Sequence, residues 1–163
     1  MTQADGMSRL AVATPRSGCP INLTAELLGD RWSLLVLRDL AFGGPRHYRE
    51  LLAGSTESIA TNILSGRLRK LTAAGMLTKR ADPTHAQRFD YCLAEPAIDF
   101  LPVLVAISMW ASRWLPVDPS TTAIAEALDD GGPELQARFM DELRSEHLGG
   151  HAPTDGALRL SLA

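Results

Sequence analysis

Long apolar runs are missing from this 163-residue chain. No stretch of about 18 or more consecutive apolar residues occurs, so nothing in it reads as a membrane-spanning helix. Cysteine is scarce: Cys19 and Cys92 are the only two, too few for a disulfide framework. The histidines (His47, His85, His147 and His151) lack metal-ligand spacing. No glycine-rich phosphate loop is present, and no spacing supports a nucleophile with its base. The chain therefore gives no case for an enzyme, and neither a cofactor nor a metal is expected. The opening MTQADGMSRLAVATPRSG mixes acid, base, glycine and proline without an apolar core, so it reads as a flexible leader over residues 1–17 rather than a signal peptide. A cytoplasmic location with no membrane partner fits these absences.

What is present begins with charge. The net charge of −3 is unevenly spread: residues 1–116 carry 13 Lys and Arg against 10 Asp and Glu, and residues 117–163 carry 3 against 9. Between residues 58 and 90 the balance is 6 against 2, a local excess of the sign that phosphate requires.

Hydrophobic periodicity divides the chain into elements. Leu23, Leu27 and Leu28 mark a short helix from Cys19-Pro20 to Gly29. Asp30 is placed to cap a second, strongly apolar helix over 31–42, ended by Gly43-Gly44-Pro45. A third, short helix spans 48–52, and a fourth runs from Ser58 to Ala74 with Gly75 as its left-handed terminator. A strand over 76–80, a turn at Asp82-Pro83-Thr84-His85 and a second strand in which Phe89, Tyr91 and Leu93 alternate make a hairpin. On that alternation Cys92 faces the opposite side. A long apolar helix over 96–115 follows, with Pro102 as a kink. Residues 117–163 form an acidic extension with one helix, about 134–148.

Two helices joined by a short turn and followed by a hairpin predict a mainly α fold with a small β wing, the winged helix-turn-helix. At 100° per residue the fourth helix gathers Ala60, Ile63, Leu64, Leu68, Leu71 and Ala74 on one side. Ser58, Thr61, Asn62, Ser65, Arg69 and Thr72 lie opposite, a polar face free of acid that suits a DNA groove better than ordinary solvation. Arg67 falls toward the apolar side and reads as structurally paired or snorkelling outward, and Gly66 as a point of close backbone approach or as drift.

Cys19-Pro20, the run Leu28-Gly29-Asp30-Arg31-Trp32-Ser33-Leu34-Leu35-Val36-Leu37-Arg38-Asp39-Leu40, and Arg46-His47-Tyr48-Arg49-Glu50-Leu51 resemble the HxlR-type winged-helix regulators, relatives of the MarR-type proteins. Ile63 to Leu71, Gly75-Met76-Leu77 and Phe89 to Leu93 continue the likeness, which covers residues 19–115. The chain departs from the pattern at Ala60, where a capping Ser or Asn is common, and at Ala94 and Ala97; Ser58 is the substitute cap. The resemblance implies a homodimeric bacterial transcription regulator paired through its first and last core helices, and in some members an oxidant sensor at the Cys-Pro position.

Together these readings assign roles. Ser58, Thr61, Asn62, Ser65 and Arg69 read bases, while Arg46, His47, Arg49, Lys79, Arg80, His85 and Arg88 meet the phosphate backbone. Ile21, Leu23, Phe100, Val103, Leu104, Ile107, Trp110 and Trp114 form the pairing surface, because a domain of 18–116 cannot bury them all by itself. Cys19 is a candidate redox sensor. The expected partners are double-stranded DNA at a pseudo-palindromic operator, with repression the expected polarity, a second copy of the chain, and a small-molecule effector near Trp110 and Trp114. The alternative is a winged-helix module that binds protein without DNA.

Overall fold

The computed structural model describes residues 9–82, 84, 85 and 87–149. The first eight residues of the leader, Pro83 in the hairpin turn, and His151 with the rest of the C-terminal end lie outside that range.

Helix α1 (Pro20–Leu28) places proline in its first turn, where no amide is needed, and buries Leu27 and Leu28. Asp30 starts α2 (Arg31–Gly43): one carboxylate oxygen accepts from the backbone N–H groups of Trp32 and Ser33 at 3.0 and 2.9 Å. Val36, Leu37, Leu40 and Ala41 make α2 the central helix of the core. Two residues, Arg46–His47, then form strand β1, too short to carry a periodic signal, before α3 (Tyr48–Ala53).

Helix α4 (Thr61–Ala74) buries Leu64, Leu68, Leu71 and Ala74, and ends at Gly75, whose φ of 87° is open to glycine without strain. Ser58 does not cap it. That residue sits at φ 55° in the preceding loop, and Ala60 occupies the cap position without a side-chain bond. Strands β2 (Leu77–Ala81) and β3 (Phe89–Leu93) pair antiparallel, with Lys79 opposite Tyr91, and β1 joins β3 to give the order β1-β3-β2. The hairpin expected from sequence is thus part of a three-stranded sheet.

The long apolar helix is two helices. α5 (Glu95–Ile98) stops after one turn, and α6 (Leu101–Trp114) restarts with Pro102 in its first turn, so the proline opens a helix instead of kinking one. By length and composition Glu95–Trp114 is apolar enough to cross a bilayer. Its acids Glu95 and Asp99 are held at 2.7 and 3.0 Å by Arg144 of the extension.

The extension departs most from expectation. Past a 3-10 turn at Pro119–Thr121 it forms two helices, α7 (Ala123–Asp130) and α8 (Gly132–Leu148), where one was expected. Leu128, Phe139 and Leu143 are fully buried in the same core as α2 and α4. α8 covers the side of β3 that carries Cys92, which is buried, and desolvation pushes that thiol up. β1 pairs only with residues 90 and 91, so the N–H of Leu93 lacks a strand partner and donates instead to Nδ1 of His147 at 3.0 Å. The leader is also engaged in its described part: Leu10 and Val12 pack on the core, and the Ala11 amide approaches the Ala74 carbonyl at 3.4 Å.

Candidate nucleic-acid interface

The outward side of α4 is free of other elements. Thr61, Asn62, Ser65 and Arg69 are all exposed, as is Ser58 just before the helix, and none of the five side chains has a partner among the described residues. Gly66 lies between them with nothing within 4 Å of where a Cβ would sit, so no packing inside the chain demands glycine there.

Three contacts hold this helix in place from below. Near its start, Arg38 of α2 grips Glu57 with two hydrogen bonds of 2.6 and 2.9 Å. That grip lowers the Glu57 carboxyl to about 2. Tyr48 Oη donates to the Thr61 carbonyl at 2.8 Å, joining α3 to the first turn of α4. Farther along, Arg67 Nη1 and Lys70 Nζ reach the second oxygen of Asp30 at 3.2 and 3.3 Å. Burial pushes the Asp30 carboxyl up, but hydrogen bonds from Ser33 and Trp32, with the Arg67 charge, outweigh it and leave the pKa lowered. Of the two readings its position on the helical wheel leaves open, Arg67 takes the structural pair, with Asp30.

The residues expected on the phosphate backbone divide into two groups. His47, Arg49, His85 and Arg88 line one groove of about 620 Å³ between α3 and the hairpin. Within it the His47 amide and ring both meet the Glu50 carboxylate, at 3.1 and 2.6 Å, which starts α3, and Arg88 Nη2 lies 3.4 Å from His47 Nε2. At the tip Thr84 binds Asp82 through both amide and hydroxyl, and those bonds lower the Asp82 pKa. Lys79 is exposed on the same sheet face, with its ammonium 4.4 Å from the Phe89 ring centroid. Gln87 lines this groove too, and a search for charge passes over it.

Arg46 and Arg80 lie elsewhere. Arg80 donates to the Glu146 carbonyl of α8 at 2.7 Å and sits 3.8 Å from Asp90, so it secures the extension to the back of the sheet. Arg46 turns inward, its Nε 3.4 Å from the Gly43 carbonyl. Arg80 is thus engaged within the chain by a residue far off in sequence and Arg46 by a carbonyl three residues before it, and neither lines the groove that holds His47, Arg49, His85 and Arg88.

A second uncovered surface lies on α6 and α1. Ile21, Val103, Ile107, Trp110 and Trp114 are exposed, with Ile21 and Trp114 at 80% and 67%. A groove of about 410 Å³ runs between the two helices. Leu23 and Phe100 are half-buried. Leu104, expected on this surface, faces the core at 7% exposure, because it lies one residue and about 100° around the helix from Val103. Cys19 is exposed at the N-terminal end of α1.

Residues 27–119 match the HxlR-like helix-turn-helix family. An uncharacterized HTH-type transcriptional regulator of Synechocystis is 36% identical over 97 residues, 60% of this chain and 70% of that protein. Another of Mycobacterium tuberculosis is 32% identical over 99 residues, and the chain spans 61% of its length. Among solved structures, the protein PA1607 superposes with a TM-score of 0.56 at 30% identity, covering 64% of this chain and 70% of its own. The reduced form of the transcriptional regulator YodB from B. subtilis gives 0.51 at 25% identity, covering 61% and 98%.

Proposed function

This chain belongs to the HxlR-like helix-turn-helix family, and from that premise we propose that it represses transcription as a homodimer on a pseudo-palindromic operator. The family is one of transcriptional regulators, not of enzymes.

The observation that carries the reading is the uncovered, acid-free side of α4. Thr61, Asn62 and Ser65 offer short donors and acceptors and Arg69 a planar fork, the chemistry that distinguishes base edges in the major groove. The groove holding Arg49 and Arg88, with Lys79 beside it, supplies charge where the flanking phosphates would run. Pairing through α1 and α6 accounts for the second surface. Removing exposed indoles and aliphatics from water is favourable at roughly 25 cal/mol per Å². A two-fold pair also presents two reading helices, which match successive major grooves if set about 34 Å apart. Cys19, exposed on the helix that would pair, is placed for an oxidant to alter that contact, and Trp110 and Trp114 for an effector to do so.

Selection of sites from random DNA, followed by titration of the selected site between about 50 and about 200 mM salt, tests this. The expected result is an inverted repeat bound by two copies, with affinity falling steeply as salt rises. A salt-independent interaction, or no selected sequence, returns the chain to a protein-binding role.

A further inference from the structure

The two histidines of the groove between α3 and the hairpin differ in their surroundings. His85 is exposed near the hairpin tip, its Nδ1 2.9 Å from Thr84 Oγ1 and 3.9 Å from the Asp82 carboxylate. The side chain of His47 is only 18% exposed, and its ring lies between an acid and a base. Nδ1 is 2.6 Å from Glu50 Oε2, and Nε2 is 3.4 Å from Arg88 Nη2.

Those two contacts fix where the ring proton resides. A carboxylate oxygen accepts, so Nδ1 carries the hydrogen. In the neutral ring Nε2 is then an acceptor, and Arg88 donates to it. A second proton would go to Nε2 and turn that acceptor into a donor aimed at a cation, so the contact with Arg88 would become repulsive. The remaining charges around the ring are split in sign. Asp90 stands opposite His47 across the β1–β3 pair, with Arg80 3.8 Å from its carboxylate. Tyr48 and Arg49 line the groove from α3, and Asp82 lies 3.9 Å from Nη1 of Arg88. Arg46, next along β1, turns away toward the Gly43 carbonyl. The nearby carboxylates are also engaged, Glu50 by the amide and ring of His47 and Asp82 by Thr84. An anionic oxygen between Nε2–H and the Arg88 guanidinium would satisfy both donors with charge-assisted bonds.

We propose that one backbone phosphate of the duplex sits between His47 Nε2 and Arg88, and that the ring takes up a proton as it binds. Affinity for DNA is thereby graded by pH, rising as pH falls through the range in which imidazoles titrate. When His47 is neutral, it holds Arg88 as an internal partner. Once charged, it releases that arginine toward the phosphate. The partial burial of His47 strengthens the coupling, because a charged ring shielded from water depends more on an adjacent anion than an exposed one does. Proton and phosphate therefore each favour the binding of the other. This inference rests on the DNA-binding role proposed above and supplies its regulation.

A rhodamine-labelled duplex of random sequence, about 30 base pairs long, tests the phosphate contact without requiring the operator. The full chain is titrated into it at about 50 mM salt, at about pH 6 and about pH 8, and binding is read by anisotropy. The wild type should bind about fivefold or more tightly at the lower pH. His47→Gln should reduce that ratio to about twofold or less, whereas His85→Gln should keep about threefold or more. Calorimetry of the wild type at about pH 7, in two buffers of different ionisation enthalpy, should show net proton uptake on binding. Circular dichroism of each variant establishes that it is folded. If His47→Gln does not fold, the calorimetry and His85→Gln decide. Equal affinity at the two pH values, binding without proton uptake, a ratio that persists in folded His47→Gln, or one that vanishes in His85→Gln overturns the coupling and leaves the DNA-binding role standing. No binding of the duplex at either pH overturns both.

Discussion

Helices α4 and α6 are the same length, 14 residues each, and each leaves one side uncovered by the rest of the chain. The uncovered side of α4 is hydroxyl, amide and guanidinium; that of α6 is valine, isoleucine and tryptophan. Both helices bury leucines on the opposite side, so the core treats them alike. The difference lies in what each surface can gain from a partner. Polar groups that water already satisfies gain little from burial unless the partner offers matched hydrogen bonds, and base edges and phosphates do so. Exposed apolar side chains gain from any partner that excludes water, and in the proposed dimer a second α6 would be that partner.

Exchanging the character of one surface breaks the comparison most severely. Ile107→Glu with Trp110→Glu should leave the fold intact, because both residues are exposed, but convert the pair to a monomer by sedimentation. Operator affinity should fall by about hundredfold or more once the two half-sites no longer act together. A variant that stays dimeric would show that α6 is not the pairing surface. Arg69→Ala, on the other helix, should cost about 1 to 3 kcal/mol at one or two base positions and leave affinity for random DNA nearly unchanged. Uniform weakening across sequences would demote Arg69 to a phosphate contact.

The support beneath α4 is tested by acid. The folded Glu57 carboxyl titrates at about 2, below its ordinary 4.5. Its contribution is therefore present in full above about pH 4.5 and is lost as pH falls toward 2. Partial exposure of both partners keeps the effect to about 1 kcal/mol. Glu57→Gln should flatten this part of the stability–pH curve measured by denaturant unfolding, and an unchanged curve would mean that the Arg38 pair is solvent-screened. Smallest in effect is Gly66→Ala. With open space around it, alanine should stabilise the protein by up to about 1 kcal/mol in thermal melts. A simultaneous loss of DNA affinity would show that the missing side chain admits the duplex.

The fold was legible wherever a local pattern carried it. Asp30 before an apolar helix, Gly75 after another, and the alternation of Phe89, Tyr91 and Leu93 each require only neighbours in sequence. Strand β1 has no period to read, at two residues. The polar composition of the extension reads as an acidic tail, yet Leu128, Phe139 and Leu143 suffice to dock it. Among the site residues, the exposure of Thr61, Asn62, Ser65 and Arg69 follows from helical spacing. Arg46 and Arg80 lie away from the groove that gathers the other basic residues, because basic character in a basic region says nothing of direction. Arg80 is held from 66 positions away, and Arg46 by two glycines whose role appears only in three dimensions.

Asp30 caps α2 with one oxygen and holds Arg67 and Lys70 of α4 with the other. A single carboxylate therefore rivets the scaffold helix to the reading helix, while Glu57 and Tyr48 clamp the opposite end. Tilting α4 alone would break all three attachments at once. In the proposed dimer, an inducing signal would then turn each half as a solid body, changing the span between the two α4 helices and leaving the shape of their outward faces undisturbed.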